Sequence, residues 1–150
     1  MAKMQRDKGA AAEREIFRLL SDELGFIVQR NLVQTRDSGC DSLSIPGFAV
    51  EVKRQEKPFA RAWWDQVNAT RHQNGGVIPI LFYRRSRRPW TAVFDLHDVF
   101  SAAFDRDSLA HVSLQTACRF IRENCSDGNN PQQIIKEPPH VFREEKNTCA

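Results

Sequence analysis

Within one stretch, residues 39–53, the chain carries two carboxylates and an ammonium, Asp41, Glu51 and Lys53, on either side of a turn. Period-two alternation makes the second half a strand, with Phe48, Val50 and Val52 on one face and Ala49, Glu51 and Lys53 on the other. Glu51 and Lys53 therefore project side by side. Pro46-Gly47 reverses the chain, since proline presets one turn dihedral and glycine accepts a positive φ, and the reversal brings Asp41 back toward Glu51. A two-residue loop sets Ser42 opposite Glu51, an odd-length loop sets Asp41 there, and Asp41 can also stand just outside the ladder. Such a set suits metal-assisted phosphodiester hydrolysis, which needs a cation against developing charge, an activated water and fixed donors around phosphorus. Magnesium takes oxygen ligands and is usually held by one or two protein carboxylates plus waters and substrate phosphate. Asp41 and Glu51 supply the carboxylates, the Val52 carbonyl is a further ligand, and Lys53 can orient the attacking water or stabilise charge. Taken alone, Glu-Val-Lys is also an ordinary half-exposed edge strand.

The elements that must position these groups follow from periodicity. Ala10 to Glu23 reads as an amphipathic helix stopped by Gly25, with Glu13 near the middle of the stripe formed by Ile16, Phe17, Leu20 and Leu24, and Glu15 on the opposite face. A carboxylate on a core-facing stripe is costly unless something pairs with it, and a bound cation would. The plainer reading is that Glu13 lies in the first turn, where acidic residues complement the helix dipole. Phe26 to Arg30 is expected as a strand and Asn31 to Gly39 as a loop that delivers Asp41. A second helix is expected over Phe59 to Gln73, with Trp63 and Val67 in line and Trp64 beside them; core packing accounts for both tryptophans. Val77 to Tyr83 is an apolar run with Pro79, read as a strand near an edge or with a local irregularity. Trp90 to Phe94 makes another strand, hairpin-paired with it, then a short helix opens at Asp95 toward Phe104, and Ser113 caps a last helix through Asn124. Helix, strand, hairpin, helix, two strands and helices give an α/β arrangement, a mixed β-sheet flanked by helices.

With 150 residues and 41% hydrophobic content, one domain with one sizeable core is expected over 1–125, followed by a C-terminal tail over 126–150 that is mobile unless it docks. No apolar run reaches the roughly 20 residues of a spanning helix, and the amino terminus has no signal-peptide pattern, so a cytoplasmic protein without membrane contact is expected. Cys40, Cys118, Cys125 and Cys149 form no CxxC pair and the four histidines are dispersed, which argues for reduced structural thiols over zinc or disulfides. The net charge of +3 conceals a block at 53–90 holding nine Lys or Arg against two Asp or Glu. Lys53, Arg54, Lys57, Arg61 and Arg71 precede the cluster Arg84, Arg85, Arg87 and Arg88, flanked by Tyr83 and Trp90, which suits phosphate contacts or simply a solvated basic turn.

Lys8-Gly9, Glu13-Arg14-Glu15, Gly25-Phe26, Arg30, Gly39, Asp41 and Glu51-Val52-Lys53, continued by Gly75-Gly76-Val77-Ile78-Pro79, resemble the PD-(D/E)xK nuclease superfamily over about residues 8 to 95. Within it the likeness is to archaeal-type Holliday junction resolvases and their phage-borne relatives. The resemblance implies a restriction-endonuclease-like core, dependence on Mg²⁺ with Mn²⁺ as a substitute, and a homodimer presenting two sites to branched, four-way DNA. Carried over residue by residue, it assigns catalytic roles to Glu13, Asp41, Glu51 and Lys53, so that the carboxylates of Glu13, Asp41 and Glu51 would join the Val52 carbonyl named above as metal ligands. Lys8, Arg14, Arg30 and Ser38 would lie near the DNA, with Arg54, Arg84, Arg85, Arg87 and Arg88. The proline that often precedes the motif Asp is absent, the spacer from Asp41 to Glu51 is short, and Trp63-Trp64-Asp65-Gln66 departs from the archaeal pattern. Gln66 resembles a glutamine that some nuclease branches add to the site, although a solvated helix face explains it equally. The expected activity is a Mg²⁺-dependent endonuclease acting on junctions; the alternatives are a nuclease on linear or single-stranded DNA and a non-catalytic DNA-binding module of the same fold.

Overall fold

A computed structural model describes residues 2–31, 39–73 and 76–125. Ser38, Gly75, His140, Cys149 and the expected tail at 126–150 lie outside the described residues. The elements run α1 (Ala2–Leu24), β1 (Phe48–Arg54), α2 (Arg61–Asn68), α3 (Thr70–Gln73), β2 (Ile78–Arg84), β3 (Thr91–Asp95), β4 (Leu109–Ser113) and α4 (Leu114–Cys125), with a 3₁₀ turn at Leu96–Asp98. The strands form one sheet in the order β1-β2-β3-β4, in which β1 and β2 are parallel and the other neighbours antiparallel. This is the mixed α/β sheet expected, and it agrees with a restriction-endonuclease-like fold. Among the described residues no helix is long and apolar enough to cross a membrane.

A parallel pair requires a crossover, and α2 with α3 supplies it over one face of the sheet. That face buries Leu81 and Val93 against Trp64 and Val67. The opposite face carries Phe48, Val50, Val52, Ile80 and Phe82 against Ile16, Phe17 and Leu20 of α1 and Ala117, Cys118 and Ile121 of α4. Phe48, Ile16, Leu20, Ile80 and Phe82 are almost wholly buried, each contributing about 2 kcal/mol of apolar burial. Period-two parity thus assigns even residues of β1 and β2 to the α1/α4 side and odd residues to the α2 side.

Several elements differ from expectation. The first helix begins at Ala2, not Ala10, because Lys3, Met4, Gln5 and Arg6 are good helix formers that extend it with exposed side chains and no apolar stripe. The segment 26–30 is not a strand: Val28 N donates to Ser21 Oγ (2.8 Å), Gln29 N to Ser44 Oγ (2.8 Å), and Gln29 O accepts from Ser42 Oγ, so serine hydroxyls replace a backbone ladder. The expected single helix at 59–73 breaks at Ala69, where Thr70 Oγ1 takes the Val67 carbonyl at 2.6 Å. The helix expected toward Phe104 is limited to the 3₁₀ turn at Leu96–Asp98, held by Asp95, whose carboxylate accepts from His97 N and Asp107 N. β4 was not expected; its five residues are half-covered and alternate only weakly.

β2 is a central strand, yet Pro79 fits there. Ile78 N donates to Gly47 O at 2.8 Å, so alternation turns the position of the missing Pro79 donor away from β1, toward β3, whose pairing begins only at Leu81. The β2–β3 hairpin across the basic turn is as expected, and Ser113 caps α4 by accepting from Thr116 N at 3.1 Å.

Candidate active site

The outer edge of β1 is shaped by one turn. Phe48 N donates to Ile45 O at 3.0 Å and Gly47 has φ +80°, the third position of a type II turn that favours glycine. Beyond it the chain makes one antiparallel bridge, Ser42 with Val50, through reciprocal bonds of 3.1 and 2.9 Å. This is the odd register, and one step outward it sets Asp41 opposite Glu51. Asp41 continues the pairing with its side chain: Oδ2 accepts the Val52 N–H at 2.7 Å, and its carbonyl accepts from Asn31 N at 2.7 Å. Both backbone groups of Val50 face this edge, so by alternation the Val52 carbonyl opens on the same edge beside Asp41. Cys40, wholly buried, supports the turn from below with its thiol 3.3 Å from the Ser42 carbonyl.

Glu51 projects toward α2 and its side chain is 3% exposed. Oε1 receives the Lys53 ammonium at 2.7 Å and the Gln66 amide at 2.9 Å, whereas Oε2 is buried with no hydrogen-bond partner. Burial first and then the Asp41 charge push the carboxyl up to about 7, with Lys53 opposing both. Glu13 looks toward the same group from α1. Its carboxyl is raised by burial and then by Asp41, against the pull of Arg30, Arg14 and Lys53, and it pairs with Arg30 Nε at 3.2 Å. The Cys40 thiol, pushed up to about 11 mainly by burial, also senses Glu51 and Asp41. Three carboxylates therefore repel one another at the edge of β1, with Lys53 and Arg30 offsetting part of the repulsion.

Among the described residues no three His, Cys, Asp or Glu side chains form a ready-made metal cage. Magnesium does not need one, since one or two carboxylates suffice when waters and phosphate complete the shell. The unsatisfied, buried Glu51 Oε2 is an acceptor lacking a cation or donor, so these residues fit a divalent ion held by Asp41, Glu51 and the Val52 carbonyl. When bound, such an ion supplies charge neutralisation and activation of water. The chain's own contribution is the fixed ammonium of Lys53 on Glu51 and the Gln66 amide that orients the same carboxylate.

The basic residues divide. Lys8 and Arg14 are exposed on α1, and Arg54 lies at the end of β1. Glu56 is held below the usual carboxylate range by a hydrogen bond from Ser86, and Lys8 and Arg54 lower it further, so these groups and the 85–88 turn share one positive surface. Arg85, Arg87 and Arg88 are exposed in that turn. Arg84 is different from the DNA contact expected of it. Its even parity sends it to the α1 side, where two nitrogens reach Glu15 at 2.6 and 2.7 Å and the guanidinium lies 4.9 Å over the Trp90 ring. Glu15, expected on the face of α1 opposite the apolar stripe, is half-buried and also accepts from Trp90 Nε1. Of the tryptophans in α2, Trp64 is fully buried and Trp63 half-buried.

Sequence reasoning missed a group of rings on the α2 face, Phe59, Trp63, Tyr83 and His111, although the odd parity of Tyr83 and Lys53 was a signal for part of it. The β1–β2 register sets those two residues directly opposite one another.

A family model described as "Phage putative PDDEXK endonuclease" matches residues 4–126, a span running from α1 through α4. No curated protein and no solved structure matches the chain. With well over half of its length matched and an Asp-Glu-Lys group at the edge of a mixed sheet, the chain belongs to the phage PDDEXK endonuclease family.

Proposed function

We propose that this nuclease is a Mg²⁺-dependent DNA endonuclease, with Mn²⁺ able to substitute, that cuts branched four-way junctions in the manner of archaeal-type Holliday junction resolvases. In this reading Asp41, Glu51 and the Val52 carbonyl hold the cation, with Glu13 completing the acidic group from α1. Lys53 stabilises charge at the scissile phosphate and Gln66 fixes the rotamer of Glu51. Lys8, Arg14, Arg54, Arg85, Arg87 and Arg88 contact phosphates, and two copies act together on a junction to leave 5′-phosphate ends. The observation that carries the reading is the Glu51 carboxylate, held on one oxygen by Lys53 and Gln66 and left unsatisfied on the other while buried beside Asp41. A buried carboxylate in that state is costly to keep, and a divalent cation offsets the cost.

The test compares labelled duplex, flap and four-way junction DNA with and without Mg²⁺, using the parent, Asp41→Asn and Lys53→Ala. Metal-dependent cutting of the junction, reduced at least about 100-fold in both variants while binding persists, is the expected result. Equal cutting of linear duplex would remove the junction preference and leave a general nuclease. Absence of metal-dependent cutting on every substrate would leave a DNA-binding module. Light scattering of the free protein and of the junction complex checks the dimer.

A further inference from the structure

We propose that Phe59, Trp63, Tyr83 and His111 form a stacking platform for DNA bases that come unpaired at the branch point, beside the scissile phosphate. Tyr83 lies opposite Lys53 in the β1–β2 register, one strand over, at an interstrand spacing of about 4.8 Å. Both residues have odd parity and share the α2 face with Glu51. Phe59 and Trp63 enter from the start of the crossover, and His111 enters from β4. The rings form one connected group: Phe59 lies 4.8 Å from His111, 5.6 Å from Tyr83 and 6.1 Å from Trp63, and the Tyr83 hydroxyl is 3.3 Å from His111 Nδ1.

Exposure distinguishes this group from an ordinary outer layer of core. The sheet beneath it is already sealed by Trp64 and Val67 over Leu81 and Val93; Phe59, Trp63 and Tyr83 pack on that cluster yet stay half-buried, and His111 is exposed. Aromatic surface left open to solvent is what a base stacks on. Charge supports the same occupant. Exposed Lys57 and half-exposed Arg54 lie between Lys53 and Phe59 in sequence, and exposed Arg85, Arg87 and Arg88 follow Tyr83 closely, so phosphate contacts flank the rings. Aromatic rings beside a basic track are how single strands are bound without sequence preference. A fully paired duplex keeps its bases stacked on each other and cannot present one here.

The location beside the cut rests on the proposed nuclease reading, so the test is made on the full chain in chelator, where no cutting occurs. A short oligothymidine and a blunt hairpin duplex are titrated separately, reading tryptophan emission and anisotropy. Trp64 and Trp90 are 0% and 6% exposed and cannot stack on a base, so quenching by direct stacking reports on Trp63. The expected result is quenching by the single strand, lost in Trp63→Phe. Phe59→Leu and His111→Ala should each weaken single-strand binding by roughly 5- to 100-fold and leave duplex binding within about twofold. Unchanged Trp63 emission, or equal losses on both DNAs, overturns the platform. Should Phe59→Leu unfold, the exposed His111→Ala decides alone. A protein that passes here and cuts no DNA sinks the nuclease reading only; one that cuts and shows no selective loss sinks the platform only.

Discussion

Replacing Glu51 by glutamine should make the metal-free protein more stable at pH 8 and inactive. In the folded protein burial holds the Glu51 carboxyl near pH 7, against an ordinary value of 4.5. Because the folded state binds this proton more tightly than the unfolded chain, stability falls as pH rises from about 4.5 to 7 and stays low above that range. At about 1.4 kcal/mol per pH unit the loss is about 3 kcal/mol. Glutamine removes it but places an amide nitrogen where Oε2 now has no partner, which costs about 1 kcal/mol. The net gain at pH 8 is therefore about 2 kcal/mol, or roughly 5 °C in melting temperature for a chain of this size. Below pH 4.5 both forms are neutral at this position and the gain disappears.

The assay is thermal unfolding of parent and Glu51→Gln at pH 4, 6 and 8 in chelator, read as the difference between the two proteins so that other titrating groups cancel. Adding Mg²⁺ at pH 8 should then raise the parent and leave the variant where it was, since a ligand that binds only the folded state stabilises it by mass action. A parent-minus-variant difference that does not vary with pH would falsify the account of Glu51 as a carboxylate kept charged against its environment.

Three further outcomes follow from the geometry. Gln66→Ala removes one of two donors to Glu51 Oε1 and should lower metal-dependent cleavage by about tenfold with little change in melting temperature, checked by single-turnover kinetics. Glu15→Ala strips Arg84 of both its 2.6–2.7 Å contacts and should destabilise the fold by about 2 kcal/mol in urea unfolding, without a change in the salt dependence of DNA binding. Replacing Arg85, Arg87 and Arg88 together by alanine should do the reverse, leaving stability unchanged and flattening the plot of log affinity against log salt by about 2 to 3.

The sequence made the placement of the candidate site legible because its signals were local. Parity put Glu51 beside Lys53, Pro46-Gly47 marked the turn, and the stripe of Ile16, Phe17 and Leu20 fixed the face of α1. What was not legible depended on which helix covers which face of the sheet. Arg84 and Arg85 are neighbours in one basic run, yet the first is even and meets α1 while the second has left the strand and reaches solvent. Gln66 could be placed on a helix, but its contact with Glu51 exists only because the crossover lays α2 over the odd face of β1. The start of α1 and the whole of β4 carried no apolar period, since the one is solvated all round and the other is a half-covered edge.

The same logic explains why pairing at the β1 edge stops after a single bridge. A longer hairpin would continue past Ser42 and Val50, and its next backbone groups would occupy both the N–H and the carbonyl of Val52. Asp41 prevents this by taking the N–H with its own carboxylate, which satisfies the donor but leaves the carbonyl facing outward beside an acid. One side chain thus ends the ladder, keeps the strand edge too charged to recruit another strand, and sets its own carboxylate beside the Val52 carbonyl, next to the residue whose Oε2 lacks a partner, Glu51. Asp41→Asn keeps the shape of that arrangement yet can present its NH₂ group to the Val52 N–H, so loss of function there would come from charge and donor pattern together. Asp41→Ser, too short to reach Val52 N, should instead free the edge, and the expected sign of that is aggregation that grows with protein concentration and is absent in Asp41→Asn.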